Sequence, residues 1–139
     1  MLPDELARDA GFLLARAGGR AIRDLNRALA PLELRSRHYT VLLAAAGAGR
    51  SQRELGELLA IDPSAVVAIV DDLERGGLVR REPDPTDRRT RRVVATEAGR
   101  VRMREARAGA RSVEEALLAE LDDAERATLL ALLTRIAGV

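Results

Sequence analysis

Apolar residues along the N-terminal part of this chain keep one rhythm. Leu6, Ala10, Leu13, Ala17, Ala21, Leu25 and Leu29 stand three or four residues apart, the spacing that lines up side chains on one face of an α-helix. The stripe predicts a long first helix over 3–30, ended by Pro31, whose ring cannot continue it. Ser36 stands where it can cap a second helix carrying His38, Tyr39, Leu42, Leu43 and Ala46, with Gly47 and Gly49 as its stop.

The next stretch holds two short helices. Ser51 and Glu54 have the spacing of a capping box, ahead of the inward-facing Leu55, Leu58 and Leu59. A turn is expected at Ala60-Ile61. Asp62 then offers an N-cap, and Pro63 suits the first helical position. This helix runs to Gly76-Gly77, a left-handed stop. At 100° per residue, Val66, Ile69, Val70 and Leu73 share one side and seal a core. Ser64, Val67, Ala68, Asp71 and Arg75 share the other. That outer face is small and flat near its N-terminus, as a helix entering a DNA major groove requires. An ordinary helical bundle explains the two helices alone equally well.

The segment after Gly77 separates these readings. Leu78–Glu82 and Arg92–Ala95 are predicted as two short strands joined by PDPTDRRTR. Arg80, Arg81, Arg88, Arg89, Arg91 and Arg92 crowd this hairpin against only Glu82, Asp84 and Asp87. Guanidinium groups at a proline-bounded tip suit phosphates and a narrow minor groove. A solvated charged loop is the plainer alternative. Helix, turn, helix and basic hairpin in direct succession predict a winged helix-turn-helix. The fold class is mainly α with a small β component (α+β), flanked by long N- and C-terminal helices.

Thr96 is placed to cap a long helix to about Leu121, with Met103, Ala106, Ala110, Val113 and Leu117 forming a helix–helix seam. Arg100, Arg104, Arg107 and Arg111 fall on another face, where solvation is the default. Arg16, Arg20, Arg23 and Arg27 do likewise on the first helix. Asp122 opens the last helix, which Leu129, Leu130, Leu132, Leu133 and Ile136 make apolar around more than one face. So short a terminal helix cannot bury all of these within its own domain, so a partner chain is expected. Ser112–Val139 holds six acids against two arginines, which makes it a poor DNA surface.

Composition narrows the chemistry. The 139 residues, 47% hydrophobic, suit one domain with a real core. A net charge of +1 says little about partners, so the clustering of charge matters more. All 23 basic residues are arginine, which we attribute to the codon usage of a GC-rich genome. With no cysteine, disulfides, thiolate metal sites and thiol switches are excluded. His38 is the sole histidine, which argues against a histidine metal site. No Gly-rich phosphate loop or nucleophile arrangement occurs, so neither enzymatic activity nor a cofactor is expected. No apolar run approaches a membrane span, and Met1–Ala10 carries three acids without a signal-peptide pattern. A cytoplasmic bacterial protein is expected. Phe12 and Tyr39, the only aromatics, are candidate ligand contacts, although a tyrosine on a buried helix more often belongs to the core.

The segments DPSAVVAIVDDLERGGLVRR and DPTDRRTRRV, with Thr96-Glu97-Ala98-Gly99, resemble the multiple-antibiotic-resistance regulator (MarR) family of bacterial transcription factors. Helix order and length fit from about Asp4 to Ala137. The resemblance implies one domain over 1–139, with a DNA-binding region at 36–96 and dimerisation helices at 3–30 and 97–139. It further implies a homodimer on pseudo-palindromic double-stranded DNA, most often a repressor, released by a small aromatic or phenolic effector. In the wing, Arg89 would enter the minor groove while Asp87 holds the wing in shape. The DNA-contact candidates are Ser64, Val67, Ala68, Arg75, Arg88, Arg89 and Arg91. The family often has a hydroxyl and an arginine where this chain has Val67 and Ala68. That apolar pair permits a second reading, an interaction module that has lost DNA binding; the wing arginines oppose it.

Overall fold

A computed structural model describes residues 1–139. The expected single first helix is two helices. α1 (Asp4–Ala7) stops at Arg8, and Asp9 starts α2 (Ala10–Leu29) by accepting the backbone N–H of Phe12 at 2.8 Å. Apolar spacing runs straight through this break, so the capping aspartate alone marks it. A 3-10 turn at Ala30–Leu32 contains Pro31 and leads through Glu33, which takes a left-handed φ of 57°. α3 (Ser36–Ala45) is not capped by the Ser36 side chain. Ser36 is its first residue, and the backbone N–H there donates to Asn26 Oδ1 of α2 at 2.8 Å. The cap is therefore tertiary and also ties α3 to α2.

The central part follows its local signals except at Leu58, expected to face inward but 52% exposed. β1 (Arg50–Ser51), α4 (Gln52–Leu59), α5 (Pro63–Arg75), β2 (Val79–Pro83) and β3 (Arg91–Ala95) come in succession. Both strand pairs are antiparallel, in the order β1-β3-β2, with Arg81 opposite Val93. β1 is an addition to the sequence expectation, because two residues are too few to show a period. α6 (Glu97–Leu117) ends four residues before the expected Leu121, and α7 (Asp123–Ala137) completes the chain. At their corner, Arg126 donates from Nε to Leu121 O at 3.0 Å and from Nη1 to Glu115 at 2.9 Å. Asp122 and Glu125 cap α7 reciprocally.

Sixteen buried apolar residues form one core, from Leu29 through Val66, Ile69, Val70 and Leu73 to Ala106. It lies under α3, α4, α5 and the sheet, and α6 covers it before running along α2. None of it comes from α7 or from α2 before Leu29. Leu130 and Ile136 remain 67% and 68% exposed, and Leu13 and Leu14 are exposed on α2. A single chain thus leaves one apolar end uncovered. No helix is long and apolar enough to cross a membrane.

Candidate nucleic-acid interface

The paired helices are set by local chemistry at each end. Ser51 Oγ accepts the Glu54 N–H at 3.1 Å, and the Glu54 carboxylate accepts the Ser51 N–H at 2.7 Å. That backbone bond holds the Glu54 carboxyl below the usual carboxylate range. Ala60 makes the turn with a left-handed φ of 51°, where Ile61 N–H reaches Gly56 O at 3.0 Å. A Cβ on Gly56 would press on Ile61 O at 3.1 Å, so the turn is tight as well as left-handed. α5 then begins at Pro63, as expected. Asp62 holds the N-cap position, but its carboxylate accepts the Ser64 hydroxyl rather than a backbone N–H. Ser64 consequently presents acceptor lone pairs outward, its donor being engaged.

α5 ends in a Schellman motif. Leu78 N–H donates to Leu73 O at 2.9 Å and Gly77 N–H to Glu74 O at 3.0 Å, with Gly77 at a φ of 72°. Val66, Ile69, Val70 and Leu73 are buried. Ser64, Val67, Ala68, Asp71 and Arg75 are exposed, with Val67 40% open to solvent. The two faces therefore fall as the periodicity predicts.

The six wing arginines divide into two sets. Arg81, 19% exposed, donates to Asp71 at 2.6 Å, to Glu74 at 2.8 Å and twice to Gln52 Oε1. Burial opposes its charge, but the hydrogen bonds it donates to Asp71 and Glu74 outweigh that and raise its pKa. Arg92, half-buried, donates to Gly49 O at 2.9 Å and lies 3.7 Å from Asp84. Arg80 pairs with Glu82. Arg88, Arg89 and Arg91 are exposed and make no ion pair. The wing's excess positive charge thus stands at its tip.

Acids build that tip without neutralising it. Asp87 accepts the Arg89 N–H at 2.9 Å and the Thr90 hydroxyl at 3.1 Å. Asp84 accepts the Thr86 hydroxyl at 2.7 Å and the Thr86 N–H at 2.8 Å, bonds that hold its carboxyl below the usual range. Asp84 N–H to Thr90 O at 2.8 Å closes the loop. Between wing and α4 lies an open groove of about 770 Å³, lined by Gln52, Arg53, Arg89, Thr90 and Arg91 among others. Exposed α5, the groove between α4 and the wing, and the cationic tip are features that a DNA-binding surface requires.

Comparisons with known proteins agree with this geometry. A sequence model of the MarR family matches residues 32–90. Over 94% of this chain and 80% of its own length, a putative transcriptional regulatory protein for the hcr operon of Thauera aromatica is 32% identical. The chain belongs to the MarR family of transcriptional regulators. CouR from Rhodococcus jostii RHA1, solved bound to p-coumaroyl-CoA, is 38% identical with a TM-score of 0.88, over 95% of this chain and 94% of that one. A transcriptional repressor, also CouR, bound to a 23-mer DNA duplex is 33% identical with a TM-score of 0.89, over 99% and 98%. The chain is thus a DNA-binding transcriptional regulator of a family that does not consist of enzymes.

Within this MarR-family fold, the acids of α5 would repel DNA if left bare. Each is answered. Arg81 spans Asp71 and Glu74, while Asp72 meets Arg75 and accepts the Nε2–H of His38 from α3 at 3.1 Å. The His38 bond is the main cause that lowers the Asp72 pKa. Arg75 itself is a surface pair at 73% exposure, weak enough to exchange its partner for a phosphate. Gln52 and the Gly49 carbonyl as arginine acceptors, and the inward turn of Arg81 and Arg92, have no local signal in the sequence. The positive φ of 77° at Gly49 has a partial sequence signal, the glycine itself.

Phe12 and Tyr39 are not brought together. Tyr39 is 9% exposed in the core, just beyond the Ser36–Asn26 link between α3 and α2. Phe12 lies half-buried in the first turn of α2, about 20 Å up that helix from Asn26 at 1.5 Å per residue. Neither lines the wing groove or the cleft of about 790 Å³ formed by Leu13, Leu14, Leu117, Leu118, Leu129 and Leu133.

Proposed function

We propose that this MarR-family regulator is a homodimeric repressor that occupies a pseudo-palindromic operator and is released by an aromatic, acid-derived effector. In this reading α5 lies in the major groove. Ser64 contributes a hydrogen-bond acceptor, Val67 and Ala68 contact thymine methyls, and Arg75 meets phosphate. Arg89 enters the minor groove on a tip shaped by Asp87, while Arg88 and Arg91 meet phosphates. The observation that carries the proposal is the partition of the wing. Arg81 and Arg92 are held by the fold, Arg80 pairs with Glu82 at the surface, and Arg88, Arg89 and Arg91 stand unpaired on an acid-braced tip.

Residues 36–96 would then be the reading region, with 3–30 and 97–139 holding the dimer. Uncovered Leu13, Leu14, Leu130 and Ile136 support that division. Two copies would set their α5 helices about one DNA turn apart, roughly 34 Å. The CouR complex with p-coumaroyl-CoA supports an aromatic acid or its thioester as the class of effector. Tyr39 sits on α3, which packs on both α2 and α6, and is the aromatic best placed to feel such a ligand. A tenfold release of DNA needs only about 1.4 kcal/mol of coupling. The test is to sequence the genomic fragments retained by the purified protein. Enrichment of a few inverted-repeat sites supports the reading, and uniform retention of all fragments overturns it.

A further inference from the structure

The joint between α5 and α6 is built from backbone as much as from side chains. Thr96, the N-cap of α6, donates its hydroxyl to Gly77 O at 2.7 Å and its N–H to Leu78 O at 3.0 Å. Those two carbonyls belong to the turn that ends α5. The same Thr96 hydroxyl oxygen accepts the Gly99 N–H at 3.0 Å. Gly99 is buried, and a Cβ built there would stand 2.0 Å from Leu78 O, so α6 rests directly on that peptide. Leu78 N–H in turn bonds Leu73 O inside α5. One hydroxyl therefore fastens the end of α5 to the start of α6, which leads into the uncovered apolar end.

We infer that Thr96 and Gly99 are positioning residues that set the half-site spacing the dimer accepts. The inference rests on the homodimeric reading above. α5 has 13 residues, so its DNA-facing tip lies about 20 Å from the joint. Play of about 10° there moves the tip by about 3.4 Å, one base-pair rise. A joint without play makes spacing a fixed property of the dimer. Thr96 and Gly99 stand outside the proposed DNA contacts, so a change there acts through α5 placement.

The test selects binding sites from random duplex DNA with the wild-type protein. The best site is then compared with versions carrying one base pair more or fewer between its halves. Thr96→Asp keeps an acceptor for the Gly99 N–H but loses the donor to Gly77 O, whereas Thr96→Ser keeps both. Wild type and Thr96→Ser should lose about tenfold or more in affinity on either change of spacing. Thr96→Asp, still a folded dimer with an unchanged salt slope, should lose less than about threefold. Gly99→Ala, which forces the two elements apart, should relax the preference in the same direction. If Thr96→Asp does not fold, Thr96→Val replaces it in the same comparison. A variant that keeps the wild-type spacing profile overturns the inference, as does a wild type indifferent to spacing. Failure of the wild type to select any sequence overturns the DNA-binding reading instead.

Discussion

The Asp87 carboxylate accepts the backbone N–H of Arg89 at 2.9 Å and leaves the Arg89 guanidinium unpaired. An acid two residues before an arginine would ordinarily cancel it. Here the acid is spent on the turn. Asp87→Ala should therefore loosen the tip and weaken operator binding, although it removes a negative charge. Because the site is exposed, thermal stability should change by no more than about 0.5 kcal/mol. Tighter binding by Asp87→Ala in a fluorescence-anisotropy titration would show that its charge outweighs its hydrogen bonds.

Arg81 fastens three elements, α4 through Gln52, α5 through Asp71 and Glu74, and the wing through its own strand. Arg81→Ala strips those acceptors at once. With Asp71 and Glu74 each about half exposed, solvent screening discounts the loss to roughly 1–2 kcal/mol of stability. DNA affinity should fall further than stability, since Asp71 and Glu74 then lose their countercharge, although Glu74 keeps the backbone N–H of residue 81. Urea unfolding and salt-dependent binding measure the two effects separately. Equal affinity in wild type and variant would make the clamp irrelevant to DNA.

These pairs explain how much of the site is legible in the sequence. Caps and stops obey local rules, so Ser51 with Glu54, Pro63 and Gly76-Gly77 are readable from their neighbours alone. The inner and outer faces of α5 emerge from period alone. Whether an arginine turns inward is decided by what lies across the fold. Arg81 finds Gln52, 29 residues away in sequence, and Arg92 finds Gly49, 43 away. Such partners leave no local trace. The same holds for Asn26 capping α3, and for the distance between Phe12 and Tyr39. Asp9 is a local signal, masked by an unbroken apolar stripe.

Acid should loosen the wing before it unfolds the core. Thr86 hydrogen bonds lower the Asp84 pKa in the folded chain, so its contribution is fully present above the unfolded value of about 3.9. That contribution is lost as pH falls through the lower folded value. Glu54, lowered by the Ser51 N–H, has the same sign. Thermal melts between pH 7 and 3 should show stability declining toward acid, with a shallower decline in Asp84→Asn. Parallel profiles would remove Asp84 from the account.

The apolar end should be dispensable to the core but not to assembly. α7 contributes no buried residue within one chain, yet Leu130 and Ile136 stand mostly open. The sequence alone points to aggregation or unfolding on loss of 122–139. Since no core residue lies there, charge substitution is the cleaner probe. Leu130→Glu with Ile136→Glu should give a folded monomer by sedimentation velocity, with operator affinity lowered at least tenfold. A stable dimer carrying both changes would place the interface elsewhere.

The most direct measurement is the affinity of wild type, Arg89→Ala and Ser64→Ala for a selected operator and for random duplex across a salt series. Arg89→Ala should weaken operator binding by roughly 1–3 kcal/mol, the range of a good specific contact. Arg88→Ala or Arg91→Ala should flatten the salt dependence by about one unit per dimer arm. Ser64→Ala should narrow the gap between operator and random DNA while leaving that slope alone. If Arg89→Ala binds like wild type while Ser64→Ala abolishes all binding, α5 alone reads the DNA and the role given to the wing is wrong.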